Sequence, residues 1–412
     1  MTRTSFPPGG ADAADRPDPG GRPSEVFRAF LKLGLTSFGG PVAHLGYFRD
    51  EFVLRRRWLD EAGYADLVAL CQFLPGPASS QVGFALGLLR GGIPGALAAW
   101  CAFTLPSAAL LVLFAAGAGA FGGVIGEGAV HGLKLVAVAV VAQAVWGMAR
   151  SLTPDRPRAA IALAALLVVI FAAGSTGQVA AILAGAVLGL RFCREAGASV
   201  PGHLAFPVSR RAGLIALALF VLLLAGLPLA AAASGQHGVA LFDVFYRAGA
   251  LVFGGGHVVL PLLEAAVVQP GWIGSGPFLA GYGAAQAVPG PLFSFVAFLG
   301  AAMAPAPAGI IGATICLVAI FTPGLLLVVA ALPFWNGLRG RPLAQAAMRG
   351  MNAAVVGILG AAFYDPVWTG AVQNPRDFAV ALVGFALLVV WKVPPWVVVL
   401  LTEASGVALA LL

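Results

Sequence analysis

Three basic side chains, Lys32, Lys134 and Arg247, fall inside stretches that are otherwise apolar. A cation at the centre of a membrane helix costs roughly 2.5–3.5 kcal/mol on insertion scales, so each needs a compensating role. Lys32 and Arg247 correspond to one another across an internal repeat (247 − 32 = 215). The same interval carries Phe30, Gly34, Phe38, Gly39 and Gly40 onto Phe245, Gly249, Phe253, Gly254 and Gly255. Duplicated cations suit an anion handled in turn from two entrances. Snorkelling, with the stem in apolar surroundings and the charge drawn to a helix end, competes with that reading, more strongly for Lys32 than for Arg247. Lys134 corresponds to Asn352, so its charge is not duplicated. Packing and substrate contact both remain open for it.

A second set of duplicated residues breaks helices. Gln72-Phe-Leu-Pro75-Gly76-Pro77 returns later in the chain as Gln286-Ala-Val-Pro289-Gly290-Pro291 (286 − 72 = 214). Each proline removes a backbone donor and clashes with the preceding turn, and the glycine between them adds freedom. Inside hydrocarbon the freed backbone groups must be met by protein or by a water-filled cavity. Paired interruptions in corresponding places of two halves point to a transporter's binding site. Gly39, Gly40, Gly254 and Gly255 form another such pair, able to turn backbone N–H groups and restarted helix ends toward an anion. Close helix packing through small residues is the competing use. Gln72, Gln286, Ser79, Ser80 and Ser294 flank the Pro-Gly-Pro motifs and can donate to oxyanion oxygens or across helices. His44, His257, Glu127, Asp243 and Glu264 lie near apolar segments without duplication and read mostly as interfacial groups. His257, beside a glycine turn, is the candidate proton carrier.

Composition sets the frame for these residues. Of 412 residues, 60% are hydrophobic and 10% charged, against about 25% charged in a soluble domain. Continuous apolar runs rather than alternating ones indicate an all-α integral membrane protein. The 55 glycines and 29 prolines suit tightly packed, interrupted helices. Cys71, Cys101, Cys193 and Cys316 show no metal or disulfide spacing. Walker, Rossmann, zincin and nucleophile-elbow motifs are absent, so no cofactor, no ATP-driven step and no enzyme activity are expected. The net charge of +7 is carried mostly by short loops, which argues for orientation in a lipid bilayer rather than for nucleic acid.

The chain divides into a disordered cytosolic tail (1–24), a first repeat (25–195), a linker with one spanning segment (196–240) and a second repeat (241–412). Thirteen apolar segments are expected, near 26–45, 64–88, 93–118, 130–149, 159–173, 178–191, 212–232, 242–263, 278–301, 308–333, 348–364, 377–391 and 395–412. Six, one and six segments turn the second repeat upside down. Sixteen basic residues then fall on the N-terminal side and five on the other, which places the N-terminus in the cytosol. The exception is the Arg55-Arg56-Arg57 run. If the first segment dips in and returns, that run joins the cytosolic side and the number of crossings falls, within a range of about ten to thirteen.

The spacing Phe30-x3-Gly34-x3-Phe38-Gly39-Gly40-Pro41, followed by Gln72-x2-Pro75-Gly76-Pro77 and echoed after residue 240, resembles the chromate ion transporter family in its long, two-domain form. The similarity covers about residues 25–400. It implies a multi-pass secondary carrier of the bacterial inner membrane that exports chromate by alternating access and confers chromate resistance. A homodimer is compatible with it. The second copy departs from the first in reading Gly256-His257 where the first reads Pro41-Val42, so the two sites need not be equivalent. Sulfate or another oxyanion is the alternative cargo. An intramembrane enzyme acting on lipid is a further one, disfavoured by the lack of a polar cluster near an interface.

Overall fold

The computed structural model describes residues 21–117, 123–172, 174–194, 208–253, 255–338 and 340–412. The expected tail up to residue 20, much of the linker before α8 and Gly254 lie outside them. Among the described residues the protein is helical, with no strand, as the continuous apolar runs require.

Helix α1 (Pro23–Thr36) opens with proline in its first turn, where the missing N–H has no helical partner to lose. It ends at Ser37, and the chain reverses through Gly39 (φ +101) and Gly40 (φ +78), backbone values that only glycine adopts freely. Helix α2 (Gly40–Phe48) runs into a π-helical turn, Arg49–Arg55. Phe52 stacks on Phe30 of α1 at 4.7 Å, and Phe48 meets the same ring edge-on at 5.5 Å. Arg56 comes to 3.7 Å from Glu25, and Arg90 reaches the same carboxylate at 3.3 Å. The stretch expected as one segment at 26–45 therefore dips and returns. The Arg55-Arg56-Arg57 run stands at the end where α1 begins, not opposite it.

A second hairpin follows. Helix α3 (Glu61–Phe73), capped by Asp60 accepting from Gly63 N, ends at the Pro75-Gly76-Pro77 break. Helix α4 (Ala78–Gly117) starts beyond it and folds back on itself at Gly91 and Gly92 (φ +62). Gly87 lies against Gly95 O and Ala99 Cβ, residues that a straight helix would hold about 12–18 Å away. The following helices are α5 (Gly123–Leu152), α6 (Arg156–Phe171), α7 (Ser175–Phe192) and the largely exposed α8 (Arg210–Ser234). Asp155 and Ser209 cap α6 and α8.

The second half runs through the same forms. Helix α9 (His237–Leu251) stops at Val252, and α10 (Val259–Leu263) leads into a π-helical turn beginning at Glu264, the counterpart of the one at Arg49 (264 − 49 = 215). Helix α11 (Ser275–Ala287) ends at the second Pro-Gly-Pro break, and α12 (Phe295–Ala302) returns from it. His237 packs edge-on against Trp272 at 4.6 Å, and Ala304 N donates to Trp272 O at 3.0 Å, gathering the hairpin ends. The chain closes with α13 (Gly309–Ala331), α14 (Trp335–Leu338), α15 (Pro342–Ala362), α16 (Thr369–Ala371), α17 (Pro375–Val389) and α18 (Pro395–Leu411). Among the described residues, five helices are long and apolar enough to cross a membrane: Ala78–Gly117, Gly123–Leu152, Arg210–Ser234, Gly309–Gly337 and Pro342–Ala371.

Contacts within one half recur in the other. A Cβ on Gly34 would lie 2.6 Å from Ala102 O on α4, and one on Gly249 would lie 2.1 Å from Ile320 O on α13. Contacts between halves are exchanged as well. Gly132 on α5 abuts Thr402 O on α18, while Gly350 on α15 abuts Gly185 O on α7; 350 − 132 = 218 and 402 − 185 = 217, so this is one contact made twice. Val328, Leu332 and Trp335 from the second half complete the core around Phe30, Phe48 and Phe103. Ala108 and Leu111 from the first half pack into the core around Phe293 and Phe295.

These approaches leave no room for a methyl group. Gly249→Ala is expected to destabilise the protein by about 1–3 kcal/mol through overpacking. Gly238→Ala, whose nearest neighbour is Pro307 Cγ at 3.6 Å, should melt like the parent in detergent micelles.

Candidate functional site

The four breaks meet. Gly76 N donates to Val252 O at 2.7 Å, and Gly290 N donates to Ser37 O at 2.9 Å. Gly76 and Gly290 are counterparts across the repeat (290 − 76 = 214), as are Ser37 and Val252 (252 − 37 = 215). Each Pro-Gly-Pro break is thus tied to the helix end at the glycine break of the opposite half. Gly76 (φ +123) and Gly290 (φ +104) hold conformations closed to ordinary side chains. A Cβ at Gly76 would also sit 3.1 Å from Gly324 Cα, and one at Gly290 would sit 2.9 Å from Ser107 Oγ.

Polar side chains fill in around these main-chain bonds. Gln81, buried, donates its amide to Pro75 O (2.9 Å) and Gly324 O (3.1 Å), stitching the first break to α13. Ser107 donates to Thr104 O at 2.9 Å, so Ser294 supplies the proton in its 2.6 Å contact with Ser107 Oγ. Ser79 Oγ lies 3.4 Å from His44 Nδ1, and His257 Nδ1 lies 2.6 Å from the Tyr282 hydroxyl. Ser80 is buried beside them. A narrow cleft of ≈ 20 Å³, room for about one water, opens at the breaks, lined by Gly39, Gly40, Ala285, Gln286, Gly290 and Pro395 among others. Gly255 (φ +138) faces open space.

Of the residues singled out in the sequence, Gly39, Gly40, Gln286 and Gly290 line this cleft. Pro75, Gly76, Pro77, Pro289, Pro291, Ser79, Ser80 and Ser294 lie at or beside the breaks. Gln72 is exposed, unlike its counterpart Gln286. The two cations are placed apart from the cleft. Arg247 donates from Nε and Nη2 to Asp243 Oδ1 (2.9 Å) and Oδ2 (2.6 Å), one helical turn before it. Lys32 Nζ is 3.9 Å from Glu51 Oε2, a carboxylate that Arg55 and Arg56 also bind. Asp243 and His44, read as interfacial, are both buried. The i, i+4 spacing of Asp243 and Arg247 was the available signal for the first. Nothing local signals the burial of His44 against Ser79 and Phe103.

The family model for chromate transporters matches the chain twice, over residues 24–190 and 239–408. The chain belongs to the chromate transporter family. A probable chromate transport protein of Synechococcus elongatus is 29% identical over 397 residues, 93% of this chain and 94% of the relative. The chromate transport protein of Pseudomonas aeruginosa is 30% identical over 397 residues, 92% and 90% of the two chains. That of Cupriavidus metallidurans is 28% identical over 376 residues, 89% and 88%. No solved structure matches the chain. The family is one of transporters, and the helical, apolar chain is a multi-pass membrane protein.

Asp243 is 5% exposed against 43% for the Arg247 side chain. Arg247→Gln strands that carboxylate. The expected loss is on the order of 1–2 kcal/mol, less than for a fully buried pair because the arginine is partly solvated. Asp243→Asn added to Arg247→Gln should restore both the melting temperature and transport. A double variant that melts normally yet transports nothing would return Arg247 to the substrate path.

Proposed function

We propose that this protein is a secondary carrier that exports chromate from the bacterial cytosol across the inner membrane and so confers chromate resistance. Its two repeats, 25–195 and 241–412 about the linker 196–240, are inverted. The N-terminus is cytosolic, and access alternates about the meeting point of the breaks. The observation that carries this reading is the exchanged pair of hydrogen bonds, Gly76 N to Val252 O and Gly290 N to Ser37 O. Such a lock joins interrupted helices from both halves, and inside a bilayer irregular backbone of this kind is tolerated only beside protein or a cavity. The hairpin ends recur in both halves: Glu25, Arg56, Trp58 and Arg90 gather in the first, and His237, Trp272 and Ala304 in the second. Inversion itself rests on the single spanning segment expected between the repeats and on the bias of basic residues. Chromate as cargo follows from the family and from the substrate named for the relatives.

In everted vesicles from expressing cells, labelled chromate should accumulate above the level of vesicles lacking the protein. Gly290→Ala should reduce uptake at least about tenfold at equal expression, since φ +104 is strained for alanine. Uptake confined to right-side-out vesicles would reject export.

Inversion is read by single cysteines in a cysteine-free background. Cysteines replacing Arg57 and Ile93 should react with an impermeant thiol reagent from one side of the membrane, and a cysteine replacing Ser275 from the other. Reaction of all three from one side removes the inverted arrangement.

A further inference from the structure

The two halves share their backbone breaks but not the side chains around them. His44 is 0% exposed, Thr104 0%, Ser37 1% and Ser80 3%. His44 Nε2, Ser37 Oγ, Ser80 Oγ and Thr104 Oγ1 are all buried without a hydrogen-bond partner. An orphaned buried polar atom costs about 1–3 kcal/mol, so several together need a reason. Helical hydroxyls elsewhere avoid that cost by donating one turn back: Thr314 to Ile310 O, Thr322 to Val318 O and Ser405 to Leu401 O. Thr104, well inside α4, does not.

These groups belong to one neighbourhood. His44 is 3.4 Å from Ser79 Oγ, and its ring meets Phe103 edge-on at 5.3 Å, beside Thr104. Ser37 caps α1 and receives Gly290 N, whose own neighbours are Phe103 O and Ser107. The start of α4 brings Ser79 and Ser80 at the positive end of the helix dipole. His44 sits among these hydroxyls, with Ser79 Oγ 3.4 Å from its Nδ1 and the Ser37 backbone against its ring.

At the equivalent positions of the second half the chemistry is reversed. Ser37, His44, Ser79 and Thr104 correspond to Val252, Val259, Phe293 and Phe321, at intervals of 215, 215, 214 and 217. All four of those are buried and apolar. Ser80 alone keeps its type, and its counterpart Ser294 is already bonded to Ser107.

We propose that the cluster of Ser37, Ser80 and Thr104 hydroxyls beside His44 is an oxyanion-binding subsite built into the first half only. The second half supplies its apolar mirror, which carries no ligand. The proposal rests on the transport reading above and adds where the tetrahedral anion is held. Neutral donors grip its oxygens without a fixed cation, which leaves release easy, as a carrier or channel site requires.

The test is equilibrium binding of radiolabelled chromate to the purified protein in lipid nanodiscs. Thr104→Val and Ser37→Ala remove a hydroxyl with little change of shape, and each should weaken binding about tenfold, the loss of one hydrogen bond to a charged ligand. Thr104→Ser keeps the donor and should bind within about twofold of the parent, as should Val259→Ala in the mirror position. A monodisperse Ser37→Ala/Thr104→Val variant that binds chromate like the parent overturns the subsite and leaves the transport reading standing. Equal losses in Thr104→Ser and Thr104→Val overturn it too, since packing rather than the hydroxyl would then matter. A parent protein that binds no chromate overturns both.

Discussion

Two main-chain hydrogen bonds hold the centre of this molecule, from Gly76 to Val252 and from Gly290 to Ser37. Helices interrupted inside an apolar interior leave N–H and C=O groups with nowhere to go, and water is not at hand to receive them. Each half creates that deficit twice, at a glycine reversal and at a Pro-Gly-Pro turn. Neither half closes it alone. The donor freed at one half's proline break meets the acceptor freed at the other half's glycine break. Everything nearby conforms: the positive φ at both glycines, the close approach of Gly324 and Ser107, and the Gln81 amide bridging two elements.

The same reciprocity extends outward. Small residues let α5 lie against α18 and α15 against α7, each pair joining opposite halves. The end of α13 fills the first core and part of α4 enters the second. Trp335 at the start of α14 donates to Asp66 on α3 at 2.8 Å, a polar bond between distant parts of the chain. The halves are therefore interlocked at the centre, along their flanks and in both cores.

Much of this was legible in the sequence because covalent geometry leaves marks there. Proline and glycine declare helix breaks wherever they fall, so the four interruptions and their repetition could be read directly. The all-helical class followed from apolar runs too long and continuous for strands. Partners in space were not legible. Nothing near Gly76 announces Val252. Arg247 was read by its charge, whereas its geometry is governed by Asp243, one helical turn earlier. The return of the Arg55-Arg56-Arg57 run to the start of α1 depended on how sharply Gly39 and Gly40 turn, which composition does not tell. His44 was hidden for a similar reason: burial depends on α4 folding back at Gly91 and Gly92, a reversal inside one unbroken apolar stretch.

The exposed α8 makes modest contact with what surrounds it, yet it joins the two interlocking halves into one polypeptide. A tether of this kind fixes stoichiometry. Two identical copies meeting face to face would have to carry every residue in both positions at once, so a histidine could not face one way without its twin facing the other. Once joined, each half has a single guaranteed partner and its side chains are released from serving both roles. Val259 and His44 can then drift apart in chemistry while Gly76 and Gly290, bound by the shared lock, cannot.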